Sequence, residues 1–369
     1  MTLQPITNEK TSKIISLQAL RAIAFLGILT SHVKASDLGS WGVSIFIILS
    51  GFVMYLTYRE RNLPDDMHGA LSFSIMKLKK LYPLHVITML LSLVLIILDQ
   101  IGRFTIKFIV FHIGMVILNI FLLQDWVPSS YVYFSLNGVA WYLSFCLFMY
   151  FMFPFIMKGL RKIKSNKETI ITIFSVYGIQ VLAGYFSSFL SQSIWIFDGT
   201  SHWFTYVLPL FRLGDFVIGC CLCYLYLNRN HEHNIFKYEM FEVFTLISII
   251  VADYIFKNKI GFLGSEWFKY SILYTLSASA TVYLFAIKKG FLTNIATNKL
   301  LIYLGNISAH AFLIHTVIVK FYVVVLNKYF GIDLNVWNQA ILVFLLTILG
   351  TKIYVAVENN IKKKTYKKA

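Results

Sequence analysis

The sequence predicts an all-α fold: a polytopic helical membrane protein of about ten transmembrane helices, with both termini cytoplasmic. Three observations carry this. Of the 369 residues, 58% are hydrophobic and only 14% are charged, whereas a soluble domain of this size carries about a quarter charged residues. Apolar stretches of roughly 18 to 22 residues, each long enough to cross a bilayer, recur from end to end. These stretches are continuous rather than alternating, which excludes a transmembrane β-barrel.

Eleven apolar stretches follow one another, at about 14–33, 41–58, 81–98, 104–123, 139–157, 169–190, 206–227, 239–256, 271–287, 300–325 and 337–357. Residues 1–13 form a polar cytoplasmic segment. The first stretch lacks a small-residue cleavage site and is expected to be a retained helix. The membrane domain is therefore set at 14–358 and a basic cytoplasmic tail at 359–369. Basic segments lie at Arg59 to Lys80, Lys158 to Lys167, Arg229 to Lys237, Lys288 to Lys299 and Lys362 to Lys368. Alternate crossings place them on the cytoplasmic side, and they account for the net charge of +16 without a nucleic-acid partner. The loop Ser191–Thr205 has no Lys or Arg and falls outside.

One conflict remains. Three apolar stretches separate Lys80 from Lys158, and an odd number of crossings cannot return the chain to the same side. Either one of them is re-entrant or broken, leaving ten full spans, or Lys77–Lys80 are drawn into the protein. Irregular backbone at membrane depth is tolerated where protein or a wet cavity surrounds it.

Arg21 and His32 lie eleven residues apart in the first stretch, so on a helix they share one stripe, about 20° apart in direction and about 16 Å apart along the axis. Charged groups at such depth face a protein interior or a wet cavity, which makes the pair a candidate site. Lys77 and Lys80, expected as i,i+3 neighbours on one helix face before Tyr82, suit a phosphate-bearing ligand or simple cytoplasmic anchoring. Gly42, Ser50 and Gly51 are small residues spaced along a bulky helix, a pattern that most often reflects close packing. Asn137 and Trp141 open the fifth stretch at i,i+4. Arg212 and Asp215, at i,i+3, suit an intramembrane ion pair. His310 and His315 are not on one helical face, so no metal site is expected. Glu358 closes the last stretch and suits pairing with a basic neighbour. The four cysteines, Cys146, Cys220, Cys221 and Cys223, lie in apolar stretches and read as packing residues. The sequence has no phosphate-cradling glycine loop and no Gly-x-Ser-x-Gly elbow.

Taken in order, these segments resemble the integral-membrane acyltransferase 3 family, whose bacterial members O-acylate surface polysaccharides. The matching residues are Arg21-x10-His32, Gly42 to Phe52, the basic residues before Leu81-Tyr82-Pro83, and Trp141-x-Leu143-Ser144 with Tyr150 and Pro154. They continue with Phe211-Arg212-Leu213-x-Asp215-Phe216-x-x-Gly219, Leu304-Gly305-x-Ile307-Ser308 and Val357-Glu358. The resemblance implies a bacterial inner-membrane enzyme that moves an acetyl group from cytoplasmic acetyl-CoA, a substrate rather than a bound cofactor, to a glycan or lipid-linked glycan. O-antigen lipopolysaccharide, capsule, exopolysaccharide, peptidoglycan and small glycosides all stay open as acceptors. The resemblance makes His32 catalytic and Arg21 essential, and links Lys77, Lys80 and Tyr82 to acyl-CoA; Ser50, Asn137, Trp141, Arg212, Asp215, His315 and Glu358 support the site. Two departures stand out. Relatives usually carry arginines where this chain has Lys77 and Lys80, so the bidentate guanidinium fork is lost. Many place a glutamate where this chain has Cys146. Where some relatives continue into an extracytoplasmic domain, this chain resembles the stand-alone form.

On this reading His32 acts as general base or as an acyl acceptor. Arg21 is too far along the helix for strong coupling to His32 and is expected to bind donor phosphates or orient another group. The competing class is a transporter or flippase without covalent chemistry, which a bundle with one broken helix and buried charges also fits.

Overall fold

The computed structural model describes residues 14–193, 200–229, 235–258, 261 and 265–366. The N-terminal segment 1–13, part of the loop Ser191–Thr205 and the last residues of the basic tail lie outside them. Every described element is helical, and each of the eleven apolar stretches contains a helix.

In chain order the helices are α1 (Ser16–His32), α2 (Gly39–Tyr58), α3 (Met67–Leu78), α4 (Tyr82–Asp99), α5 (Ile106–Ile120), α6 (Ser130–Tyr133) and α7 (Trp141–Leu160). They continue with α8 (Asn166–Ser193), α9 (Thr200–His202), α10 (Pro209–Leu227), α11 (Ile235–Lys257), α12 (Glu266–Phe268) and α13 (Tyr274–Ile287). The last three are α14 (Phe291–Ala296), α15 (Lys299–Phe321) and α16 (Val336–Tyr366). Their starts carry familiar signals. Asp66, Thr105 and Asn298 accept from Gly69, Phe108 and Leu301 backbone N–H groups and so cap α3, α5 and α15. Pro83 and Pro209 occupy the first turns of α4 and α10, where a missing N–H costs nothing.

Eight helices among the described residues are long and apolar enough to cross a membrane. The expected ten full crossings exceed that measure for physical reasons. α1 has 17 residues, α5 has 15, and α11 carries Glu239, Glu242 and Asp253. At 1.5 Å per residue α5 reaches only about 22 Å, short of a hydrocarbon core about 30 Å thick.

The short helix and broken chain that one answer to the parity conflict requires lie at α5 and after it. The chain then runs through residues 121–140 as short turns, whose Leu122, Gln124, Asp125, Leu136 and Asn137 are buried among neighbouring helices while Phe121, Trp126 and Tyr131 stay exposed. His85 Nε2 lies 3.0 Å from Asn119 O, and Asn119 donates to Ser135 Oγ. Ser144 Oγ donates to Leu122 O, Gln124 to Ala140 O and Trp203 Nε1 to Asp125 O. Leu122 and Leu136, both buried, adopt left-handed backbone at φ 54° and 52°. Such conformations persist in non-glycine residues only where surroundings over-determine them. Here neighbouring helices satisfy the freed backbone groups, as non-helical chain at this depth requires.

The core is built from α1, α2, α10 and α15. Gly51 and Gly219 let α2 and α10 touch backbone to backbone: a Cβ at Gly51 would strike Phe216 O, and one at Gly219 would strike Ile48 O. Gly305 does the same for α15 against Gln18 O of α1. Helices α4, α5, α8, α11 and α16 expose large apolar side chains outward, as a lipid-facing belt requires. One end of the bundle carries Arg59, Arg161 and the start of α15; the opposite end carries the Lys328–Asp99 pair at 2.7 Å.

Candidate active site

His32 ends α1 and opens into a cavity of about 450 Å³ on the side away from the basic end. Its Nδ1 lies 2.8 Å from Ile28 O, which can only accept, so Nδ1 carries the proton. The second neighbour is His315, with its Nε2 3.4 Å from His32 Nδ1 and the ring centroids 5.0 Å apart at 76°. His315 is fully buried and its own Nδ1 lies 2.7 Å from Phe312 O. The same logic protonates His315 at Nδ1 and leaves its Nε2 as an acceptor toward His32. Both tautomers follow from carbonyls, and His32 Nε2 is left with a free lone pair.

Asn137, Gly138, Val139 and Trp141 supply one wall of this cavity or its support. Asn137 donates to Leu313 O at 2.9 Å and accepts from Thr316 Oγ1, which fastens the irregular segment to α15. Lys320 donates to Leu136 O of the same segment. Trp141 packs on Tyr206 with ring centroids 5.1 Å apart. His202, also at the cavity, sits 3.2 Å from Tyr133 OH. Burial and the nearby Lys269 ammonium lower its pKa to about 4, so its ring is uncharged at neutral pH.

A second, smaller chamber of about 110 Å³ lies toward the basic end. Arg21, Ser50, Lys77, Tyr142, Cys146 and Tyr150 are among its lining residues. Arg21 has no hydrogen-bond or ion-pair partner among the described residues, so its guanidinium is available to an anion. Lys77 is engaged by Tyr58 through its hydroxyl and, at 4.0 Å from the centroid, its ring face. Ser50 is held by Phe46 O at 2.7 Å and approaches Tyr142 OH at 3.4 Å. Phe312 belongs to both chambers; its ring meets Phe46 at 6.0 Å and Tyr142 at 5.5 Å, so an aromatic cluster stands between them.

The geometry corrects one expectation and separates residues that the sequence groups together. Lys77 and Lys80 do not share a helix face, because α3 ends at Leu78 and Lys80 falls in the turn before α4. Lys77 lines the small chamber, whereas Lys80 is exposed and faces the His310–Glu358 region. Tyr82 is absent from the lining of either chamber, and its hydroxyl donates to Ile120 O at 2.8 Å. Arg21 and His32 do share α1 but open into different chambers.

The remaining residues are supports. Arg212 and Asp215 form a fully buried pair at 3.0 Å. Arg212 also donates to Ser44, and Asp215 accepts from Gln180 and Thr275, which ties α2, α8, α10 and α13 together. Glu358 pairs with Lys362 at 2.5 Å and lies 3.9 Å from His310 Nε2, at the junction of α15 and α16. Lys320, His202 and Tyr206 were not singled out by the sequence reading. Lys320 carried a usable signal, a cation within the tenth apolar stretch; the two aromatics carried none.

A family model described as an acyltransferase domain, that of the acyltransferase 3 family, matches residues 14–355. The chain is also 25% identical over 226 residues to the curated acyltransferase MdmB of Streptomyces mycarofaciens, covering 56% of each chain. The match thus spans little more than half of that relative's length. No solved structure matches. With the motifs, the two-chambered helical bundle and the match over nearly its whole length, the chain belongs to the acyltransferase 3 family of membrane acyltransferases.

Proposed function

We propose that the protein transfers an acyl group, acetyl from acetyl-CoA, to a hydroxyl of a cell-surface polysaccharide or its lipid-linked precursor at the bacterial inner membrane. The observation that carries the reading is His32, which lines the large cavity: both of its Nδ1 neighbours accept, so Nε2 is the nitrogen left with a lone pair to act as a base. A transporter has no need of a histidine held in one tautomer by a backbone carbonyl, with a second histidine against the same nitrogen.

In this scheme the acceptor hydroxyl occupies the large cavity and gives its proton to His32 Nε2. Its oxygen attacks the thioester carbonyl, the C–S bond breaks, and the imidazolium returns the proton to the leaving CoA sulfur. The small chamber is too narrow for a nucleotide and suits a slender chain or one phosphate. Arg21 and Lys77 would steady the donor there, and Lys80 at the same end of the bundle would meet the nucleotide outside it. The donor arm would then pass Phe312 to bring its thioester to His32.

The test is transfer of labelled acetyl from acetyl-CoA to glycan by the purified protein. His32→Ala is expected to lower the rate by about 10²- to 10⁴-fold, the usual worth of a general base. An unchanged rate in a correctly folded variant overturns the assignment.

A further inference from the structure

We infer that the large cavity takes an acceptor sugar bearing an anionic group, with Lys320 as the counter-ion. The inference rests on the reading above that the acceptor enters the His32 cavity.

Among the described residues, Lys320 is the only lysine or arginine lining the cavity, and no aspartate or glutamate lines it. Its ammonium donates to Leu136 O, and no carboxylate pairs with it among the described residues. One carbonyl satisfies one of three N–H donors. A neutral side chain would hold that carbonyl at lower desolvation cost, so fastening Leu136 does not account for a charge here. A cation within a helix of a membrane protein is characteristically matched by an opposite charge, and among the described residues the cavity lining offers none, which leaves that role to a ligand.

Position agrees with charge. Phe312, Thr316 and Lys320 follow at i, i+4 and i+8 along one face of α15, and all three line the cavity. His315, which meets His32, is five residues before Lys320, about 7.5 Å along the helix axis. That offset is about the span of one sugar ring. A hydroxyl at His32 Nε2 and an anionic oxygen at Lys320 therefore fit on one residue or two linked ones. Trp141 and Tyr206 supply apolar faces against which sugar C–H groups pack. The shared chemistry is a uronate carboxylate or a glycosyl phosphate.

The experiment measures equilibrium binding to the purified full-length protein without acyl donor. Probes are p-nitrophenyl β-D-glucuronide, its methyl ester, p-nitrophenyl β-D-glucoside and glucose 1-phosphate; proteins are wild type, Lys320→Arg, Lys320→Gln and Lys320→Met. Wild type is expected to bind an acidic probe about tenfold more tightly than the neutral ones, a charge-assisted contact. Lys320→Arg keeps that preference. Lys320→Gln, which retains a donor for Leu136, and Lys320→Met reduce it to within about twofold while leaving neutral glycosides unchanged. Preference for the glucuronide alone identifies a uronate, and preference for glucose 1-phosphate alone identifies a phosphate-linked sugar. Equal affinities in wild type, no binding of either acidic probe, or a preference that survives Lys320→Gln overturns the inference. Because no donor is present, charge preference without acetyl transfer would sink only the transferase reading. Transfer to acidic and neutral glycans at equal rates would sink only this inference.

Discussion

His32 and His315 meet in a T-shaped contact between α1 and α15, with His315 Nε2 3.4 Å from His32 Nδ1. On the proposed mechanism His315 acts as a positioning residue, because its Nε2 accepts from His32 Nδ1 and not from the nitrogen assigned as the base. His315→Phe keeps ring volume and removes the acceptor. It should lower kcat about 10- to 100-fold, or about 1.4–2.7 kcal/mol, with KM for either substrate moving less than about twofold. His315→Gln restores an acceptor and should recover part of the loss. Steady-state kinetics on both variants decides it, since a merely structural role would not separate Gln from Phe.

Arg21 opens into the small chamber without a protein partner, so its loss should be felt in donor binding. Arg21→Met is expected to raise KM for acetyl-CoA about tenfold or more, and Arg21→Lys less, because lysine keeps charge but not the fork. KM for the acceptor should stay constant. A change confined to the acceptor would remove Arg21 from the donor side.

The Arg212–Asp215 pair is buried completely, which makes its halves interdependent. Arg212→Met leaves a buried carboxylate without its cation and should cost about 3–5 kcal/mol. Arg212→Met with Asp215→Leu should recover much of that, since neither charge then needs compensation. Thermal unfolding in detergent compares the two. Equal destabilisation would show that Arg212 acts through packing instead.

Gly305 lets α15 lie against Gln18 O of α1, and these helices carry His315 and His32. Gly305→Ala should force them apart, destabilise by about 1–3 kcal/mol as overpacking does, and reduce transfer as the histidines separate. Gly178→Ala, on α8 with open space around it, is the control and should be neutral or slightly stabilising. Melting temperature and activity measured together distinguish a global effect from one at the histidines.

Much of the site was legible in the chain because intramembrane polarity is costly and therefore sparse. Arg21, His32, Arg212 and Asp215 stand out within apolar stretches. The small residues Gly42 and Gly51 mark where backbones meet, against Ala24 O and Phe216 O. The Lys77–Lys80 pair misled for a local reason: helical spacing was assumed across Leu78, where α3 ends, so side chains three apart diverge. Tyr82 lay beside the basic residues in sequence, yet its hydroxyl was already committed to Ile120 O.

What the sequence determined by itself was the class of solvent and the identity of the costly residues. Apolar length dictates helices that satisfy their own backbone in lipid, and buried cations and imidazoles need a purpose. What only the tertiary structure decided was how those residues are grouped. One helix sends Arg21 and His32 into separate chambers, and His315, 283 residues from His32 in the chain, becomes its orienting partner. Lys320, on α15, lines the same cavity and donates to Leu136 O of a segment whose irregular backbone no periodicity foretells. Such groupings depend on helix rotation and on where a helix breaks, and both are set by packing between distant parts of the chain.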